Sequence, residues 1–239
     1  MRVARVVTLV LTAHGSADPR SAASVHELAR TIARVRRGVD VRVAFCEQNS
    51  PNLRDVLAST GGDAVVVPLL LADAYHARID IPAMIDESGT RARQADVLGE
   101  DDRLIAVLRQ RLTHAGVSPL DPDVGVVVTA VGSSRPQANA RTATVADYLV
   151  QHTNWTATTA FATGPRPTLA EAAEALRERG ATRLVIAPWF LAHGRITDRV
   201  ADYARAHGIT MAEPLGPHRL VAETVLDRFD EEIAARTAA

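Results

Sequence analysis

Three side chains that can bind a metal ion or transfer a proton each follow a predicted strand in the first half of the chain. His14 follows the first apolar run, and Glu47 follows the second. His76 follows Val65–Leu71, a stretch in which six of seven residues are apolar. Open α/β sheets bind ligands beyond the carboxyl ends of their strands. We therefore expect these three side chains to lie close together at one edge of a sheet.

Two imidazoles and one carboxylate suit two kinds of chemistry. They can bind a divalent ion such as iron, cobalt or nickel, or act as general bases, because an imidazole titrates near neutral pH. The alternative is that His14 and His76 are turn residues bonded to backbone and that Glu47 is a solvated loop acid. The chain has one cysteine, Cys46, and no closely spaced His or Cys motif. These facts argue against a disulfide and a structural zinc site.

The loop after the first strand does not have a phosphate-binding pattern. Its sequence Ala13-His14-Gly15-Ser16 contains one glycine and matches neither GxGxxG nor a P-loop. This counts against a sugar- or nucleotide-binding enzyme, so we expect neither a nucleotide nor an organic cofactor. Gly15, and Gly132 in the matching loop, are expected to allow tight turns out of their strands.

The elements that must position these residues occur twice along the chain. Gly15-Ser16 recurs as Gly132-Ser133, and Leu98-Gly99 recurs as Leu215-Gly216, both at an offset of 117 residues. Pro51-x-Leu53 recurs as Pro167-x-Leu169 at an offset of 116 residues, and Pro68-x-x-Leu71 recurs as Pro188-x-x-Leu191 at an offset of 120 residues. The repeat predicts an α/β fold of two similar flavodoxin-like lobes, each a parallel sheet flanked by helices, from an internal duplication.

The repeat also predicts where the elements and the domain boundary lie. Strands are expected at Val3–Ala13, Val39–Phe45, Val65–Leu71, weakly at Ala95–Leu98, and at Val124–Val131, Ala157–Phe161 and Arg183–Leu191. Helices are expected at Ser21–Val35, Asn52–Thr60, Ile79–Glu87, Asp101–Ala115, Asn139–Gln151, Pro167–Arg179 and after Leu215-Gly216. A boundary within Gly116–Asp123 gives a lobe of residues 1–118 that carries the site and a lobe of residues 119–239 that closes a cleft.

Comparison of the two halves separates structural positions from positions used once. The positions that match the three candidate residues are, in the same order, Val131, Thr163 and about Ile196. None of these side chains binds a metal strongly or titrates near neutral pH. His193 of the second half aligns instead with Asp73. The candidate chemistry is therefore expected in the first half alone.

Composition excludes several classes of partner. A formal net charge of −1 gives no electrostatic basis for binding nucleic acid or an anionic membrane surface. No apolar stretch approaches the 18 or so residues of a transmembrane helix. The opening MRVARVVTLVLTA looks like a signal peptide, but similar apolar runs recur in mid-chain. We expect a cytoplasmic protein.

The segments around the three candidate residues resemble the small ATP-independent class II tetrapyrrole chelatases, which include the sirohydrochlorin chelatases of sirohaem and cobalamin synthesis. The matching segments are Ala13-His14-Gly15-Ser16, Asp18-Pro19-Arg20, Phe45-x-Glu47 with Pro51, Pro68–Leu71, Tyr75-His76, Asp80-Ile81-Pro82, Leu98-Gly99 and Pro188–Leu191. By matching positions, the family's histidine pair falls on His14 and His76 and its acid on Glu47. The resemblance implies catalytic roles for all three residues and metal binding by the two histidines.

The resemblance further implies an ATP-independent lyase that inserts a divalent metal into sirohydrochlorin. The metal is a substrate, Fe²⁺ for sirohaem or Co²⁺ for cobalamin, with Ni²⁺ as a further candidate. Sirohydrochlorin carries eight carboxylates, so cationic and hydroxyl donors are expected to bind it. The candidates are Ser16, Arg20, Arg54, Arg78, Ser133, Ser134 and Arg135. A monomer is expected. The alternative is a non-catalytic carrier of a tetrapyrrole or metal that uses the same cleft.

Overall fold

The chain forms two successive runs of alternating strands and helices. A computed structural model describes residues 7–60 and 63–238. The first run consists of β1 (Thr8–Ala13), α1 (Pro19–Val35), β2 (Asp40–Phe45), α2 (Leu53–Ser59), β3 (Ala64–Pro68), a π-helical turn (His76–Asp80), α3 (Ile81–Glu87), β4 (Arg93–Gln94) and α4 (Asp102–His114). The second run consists of β5 (Val124–Ala130), α5 (Pro136–Val150), β6 (Thr156–Phe161), α6 (Leu169–Glu178), β7 (Arg183–Pro188), α7 (Arg195–Ala206), β8 (Thr210–Met211) and α8 (Arg219–Ala238).

Each run contributes one parallel sheet of four strands. The strand orders are β2-β1-β3-β4 and β6-β5-β7-β8, and all pairs are parallel. These sheets, flanked by helices, confirm the predicted fold class. Every residue of β1, β3 and β5 is buried, as expected for parallel strands covered by helices on both faces. The winding reverses between β1 and β3, and α/β sheets bind their ligands at such a switch point.

The duplication extends to individual backbone hydrogen bonds at the strand ends. Leu69 N–H donates to Thr12 O at 2.7 Å, and Trp189 N–H donates to Thr129 O at 2.8 Å. Phe45 and Phe161 donate in the same way to the carbonyl groups of Pro51 and Pro167, at 3.0 and 2.9 Å. The anchors that recur in sequence are therefore the residues that close equivalent loops on the two sheets.

The last helix of each run belongs to the compact unit built on the other sheet. One unit comprises the described residues up to Gly99 and those from Pro217 onward, and the other comprises Glu100–Gly216. Accordingly α8 packs on α1 and β3, while α4 packs on α5 and β7. This division differs from lobes of residues 1–118 and 119–239, because the order of a repeat along the chain does not determine which sheet its last helix covers.

Packing of α8 is specific to the first unit. Its apolar face is buried, with Val221, Ala222, Val225, Leu226 and Phe229 no more than 4% exposed. Arg36, which directly follows α1, donates two hydrogen bonds of 2.6 Å to Asp230, and Arg228 donates to the carbonyl oxygens of Val97 and Leu98. The far end of the chain thus forms part of the body that carries the candidate residues.

Several predicted elements differ from those observed. The strand expected at Ala95–Leu98 is instead the two-residue β4 that precedes it. The apolar residues of the expected strand are buried, but their backbone makes only single hydrogen bonds to Val66 O and Leu70 O and does not continue the ladder. The strand expected at Val3–Ala13 begins at Thr8, and residues 3–6 lie outside the described part. The sequence predicted neither α7 nor β8. The buried residues of α7 are Thr197, Val200 and Ala204, which lie at helical spacing but include only one large apolar side chain.

None of the helices in the described ranges is long and apolar enough to cross a membrane.

Candidate functional site

The first sheet brings together the three side chains singled out in the sequence. The rings of His14 and His76 lie with their centroids 4.0 Å apart and their planes tilted by 35°. His14 Nε2 lies 3.0 Å from Glu47 Oε1. All three side chains are partly exposed, so a ligand can reach them from solvent. The loops after β1, β2 and β3 therefore meet at one edge of the sheet, as predicted.

A glycine explains how closely the first two loops approach. Gly15 has φ +105°, and a Cβ atom there would lie 1.8 Å from the carbonyl oxygen of Glu47. Only glycine combines this dihedral with so close a backbone contact. Glu47 N–H also donates to His14 O at 2.9 Å, and Ser16 N–H donates to Asn49 Oδ1 at 2.7 Å. These contacts hold the Glu47 carboxylate beside the His14 ring.

The surroundings of His14 favour its neutral form. Partial burial lowers the pKa of this imidazole, and the nearby His76 lowers it further, against smaller opposing effects of Glu47 and Asp80. His14 Nδ1 is buried without a hydrogen-bond partner among the described residues. A neutral imidazole retains a lone pair that can bind a metal ion or accept a proton.

His76 begins the π-helical turn that precedes α3, eight residues beyond the end of β3. Its Nδ1 lies 2.5 Å from Asp80 Oδ2. Sequence reasoning assigned no role to Asp80. The signal was the four-residue spacing from His76, which places two side chains on one helical face, but the helix was predicted to begin only at Ile79. π-helical turns are rare and frequently occur at functional sites.

The cluster is not a complete metal-binding cage. Across residues 7–60 and 63–238, no group of three or more His, Cys, Asp or Glu side chains is arranged to hold a metal ion. The two imidazoles and the Glu47 carboxylate nevertheless provide nitrogen and oxygen donors suited to iron, cobalt or nickel. Binding of one ion by both His14 and His76 remains a prediction.

The three candidate arginines of the first unit are already paired with carboxylates. Arg20 pairs with Asp18 at the start of α1, Arg78 with Asp73, and Arg54 with Glu87. All three arginine side chains are about half exposed, and surface ion pairs are worth about 0–1 kcal/mol. They could therefore be exchanged for the carboxylates of a ligand at little cost. Substrate binding by these arginines stays a prediction.

The candidate serines take part in matching loop structures in the two units. Ser16 Oγ accepts from Asp18 N–H, and Ser133 Oγ accepts from Arg135 N–H, each at 3.1 Å. Ser134 lies in the same loop of the second unit, which leads into α5 at Pro136. These contacts use the serine hydroxyl groups as acceptors and leave their protons available to a ligand. A role for Ser133, Ser134 and Arg135 in substrate binding stays a prediction.

The second unit has the same backbone hydrogen bonds at its equivalent loops but lacks the paired histidines of the first unit. Thr163 N–H donates to Val131 O at 2.9 Å, as Glu47 does to His14. Its hydroxyl also donates to Val131 O, at 2.8 Å. His193 lies in the loop after β7, where its Nε2 is 2.8 Å from Glu213 Oε2. The equivalent edge of this sheet therefore holds one imidazole, paired with an exposed acid, rather than two in contact.

Comparison with known proteins identifies the family to which this duplicated fold belongs. The family model described as CbiX matches the chain twice, over residues 8–115 and 125–232. The chain belongs to the CbiX family. The two matches correspond to the two halves of the duplication, and the first of them includes His14, Glu47 and His76.

Relatives of this CbiX-family chain carry chelatase names. A sirohydrochlorin cobaltochelatase from Priestia megaterium is 29% identical over 217 residues, which are 84% of this chain and 70% of that protein. A sirohydrochlorin ferrochelatase from the same organism is 32% identical over 117 residues, 44% of each chain. Among solved structures, SirB from Bacillus subtilis with Fe³⁺ superimposes with a TM-score of 0.81 at 20% identity, covering 95% of both chains. That likeness concerns the fold.

Proposed function

We propose that this protein is a sirohydrochlorin chelatase that inserts Fe²⁺ or Co²⁺ into the macrocycle without ATP. The observation that carries the proposal is the convergence of His14, Glu47 and His76 at the switch point of the first sheet. Family membership supports the reaction class, and the names of the relatives support both metals. Insertion replaces two pyrrole N–H protons with one M²⁺ ion, so the site must both deliver a metal and accept protons.

The two imidazoles are proposed to hold the incoming metal. The ring centroids of His14 and His76 lie 4.0 Å apart, so the two rings are close enough for one ion to be shared between them. Structural metal sites usually have four protein ligands. A site with two imidazole ligands is weaker, and a chelatase needs an ion that it can release to the substrate.

Glu47 is proposed to accept pyrrole protons. Its carboxylate is exposed and lies 3.0 Å from His14 Nε2. When the metal leaves the imidazoles for the macrocycle, the same nitrogens become available as bases, and a neighbouring carboxylate stabilises the imidazolium that results. The cluster can therefore exchange one M²⁺ ion for two protons without a large change in its local charge.

Arginines and hydroxyl groups are proposed to bind the carboxylates of the substrate. In the first unit these are Ser16, Arg20, Arg54 and Arg78, and in the second unit Ser133, Ser134 and Arg135. We further propose that the protein acts as a monomer in the cytoplasm, because one chain carries both copies of the repeat and its single cysteine suits a reducing compartment.

Anaerobic incubation with sirohydrochlorin and each of Fe²⁺, Co²⁺ and Ni²⁺ tests the proposed reaction. Metal insertion changes the absorption spectrum, and the enzyme should convert many equivalents of substrate faster than the protein-free control. A non-catalytic carrier would instead bind about one equivalent and leave the rate of insertion unchanged. The ion inserted fastest identifies the preferred metal.

A further inference from the structure

We propose that Asp80 is a positioning residue that fixes the orientation and tautomer of His76. This inference rests on the proposed function in taking His76 as a ligand of the substrate metal. The carboxylate oxygen Oδ2 of Asp80 lies 2.5 Å from His76 Nδ1. A carboxylate can only accept at this contact, so Nδ1 carries the proton, and Nε2 keeps the lone pair that binds a metal.

The carboxylate of Asp80 serves no evident purpose in the helix itself. Asp80 immediately precedes α3 but makes no side-chain capping hydrogen bond to its first turn, and its backbone is helical. Instead the side chain reaches back one turn to His76. Metal-binding histidines commonly donate their second N–H to a carboxylate, which sets the tautomer and holds the ring in place.

The turn that carries both residues is braced from outside. Gln94 of β4 donates from Nε2 to Ala77 O at 2.7 Å. The hydrogen bond from Ile81 N–H to His76 O closes the wider π-helical ring. The backbone bond between Ile81 and His76 and the contact of Gln94 with Ala77 thus hold the turn without involving the Asp80 carboxylate. Removing the Asp80 charge should release the imidazole while the turn persists.

The two histidines differ in which nitrogen meets a carboxylate. Glu47 contacts Nε2 of His14, whereas Asp80 contacts Nδ1 of His76. The acids therefore have different tasks in this proposal. Glu47 lies at an exposed position where it can take part in metal or proton transfer, whereas Asp80 fixes the imidazole ring of His76 through its Nδ1 atom. Loss of Asp80 should weaken metal binding without removing a ligand.

Nitrogen-15 NMR of the metal-free protein at about pH 8.5 tests this directly, because neutral imidazole tautomers have distinct shifts there. In the wild type, His76 should be protonated at Nδ1. Asp80→Ala should lose this preference, and Asp80→Asn, which retains an acceptor oxygen, should keep most of it. Titration with Co²⁺ alone should show affinity reduced 10–100-fold in Asp80→Ala and less in Asp80→Asn.

Asp86→Asn is the matched control, since it removes an exposed carboxylate from α3, the helix that directly follows Asp80. It should change neither the tautomer nor the affinity for Co²⁺. A wild-type His76 protonated at Nε2, or Asp80 variants with unchanged tautomer and Co²⁺ affinity, would overturn the proposal. These measurements omit sirohydrochlorin, so failure of the chelatase assay alone would refute the proposed function and leave the positioning role intact.

Discussion

Gly15→Ala should disable the site by displacing the backbone of two loops. Ordinary contact of a Cβ atom begins at about 3.4 Å, and the new atom would lie 1.8 Å from Glu47 O, so the two loops must separate by about 1.6 Å. A displacement of about 1 Å in a catalytic group can cost on the order of 100-fold in rate. We expect insertion to fall by about that factor, while φ +105° adds roughly 1–3 kcal/mol of backbone strain.

Two matched variants separate displacement from strain. Gly89 also has positive φ, but a Cβ atom there would meet nothing within 4 Å, so Gly89→Ala should cost stability with little effect on insertion. Gly132→Ala makes the equivalent change in the second unit, where the contact with Thr163 O is a milder 2.8 Å. Initial insertion rates and urea unfolding of all three variants provide the comparison. An insertion rate for Gly15→Ala within about threefold of that for Gly89→Ala would refute the positioning argument.

Three further outcomes are expected. His76→Ala should abolish most insertion and His193→Ala should have a much smaller effect in the same spectroscopic assay; equal losses would mean that the second unit contributes equally. Phe229→Ala should destabilise the protein by about 3–5 kcal/mol. It should accelerate hydrogen exchange in β1 and β3 rather than in β5 and β7, and the reverse pattern would contradict the packing of α8. Burial, with smaller effects of nearby acids, raises the pKa of Cys46 to about 11. Iodoacetamide labelling at pH 7.5 should therefore be on the order of 100-fold slower than for a free thiol, and the labelling rate should continue to rise towards pH 11. A rate that reaches a plateau near pH 9 would show an unperturbed thiol.

Much of the fold could be predicted from internal repetition. The glycine and proline anchors recur because they close equivalent loops, such as the Phe45–Pro51 and Phe161–Pro167 hydrogen bonds, and backbone geometry restricts such positions to few residue types. The packing of α8 on the first sheet could not be predicted. Its apolar face indicates that it is buried but does not identify the surface that buries it. Which sheet a helix covers is a long-range property that local sequence does not encode.

The candidate site was also predicted only in part. His14, Glu47 and His76 follow strands whose carboxyl ends meet at one sheet edge, so their convergence followed from the topology. Asp80 was missed because a π-helical turn begins three residues before the predicted helix, and a short turn has no apolar periodicity to detect. The pairing of Arg20, Arg54 and Arg78 with neighbouring acids was also beyond prediction. Such contacts depend on side-chain conformations that many exposed positions could adopt.

The effect of Glu47→Gln on metal insertion tests the central claim most directly. The amide keeps the shape of the side chain but cannot accept a proton, so Co²⁺ binding by the two histidines should largely persist while insertion slows by on the order of 10²–10⁴-fold. Both quantities should be measured on one preparation, by Co²⁺ titration and by anaerobic assay with sirohydrochlorin. Glu178→Gln, a change at an exposed position in the second unit, serves as the control. Wild-type insertion by the Glu47→Gln variant would contradict the assignment of this carboxylate as proton acceptor.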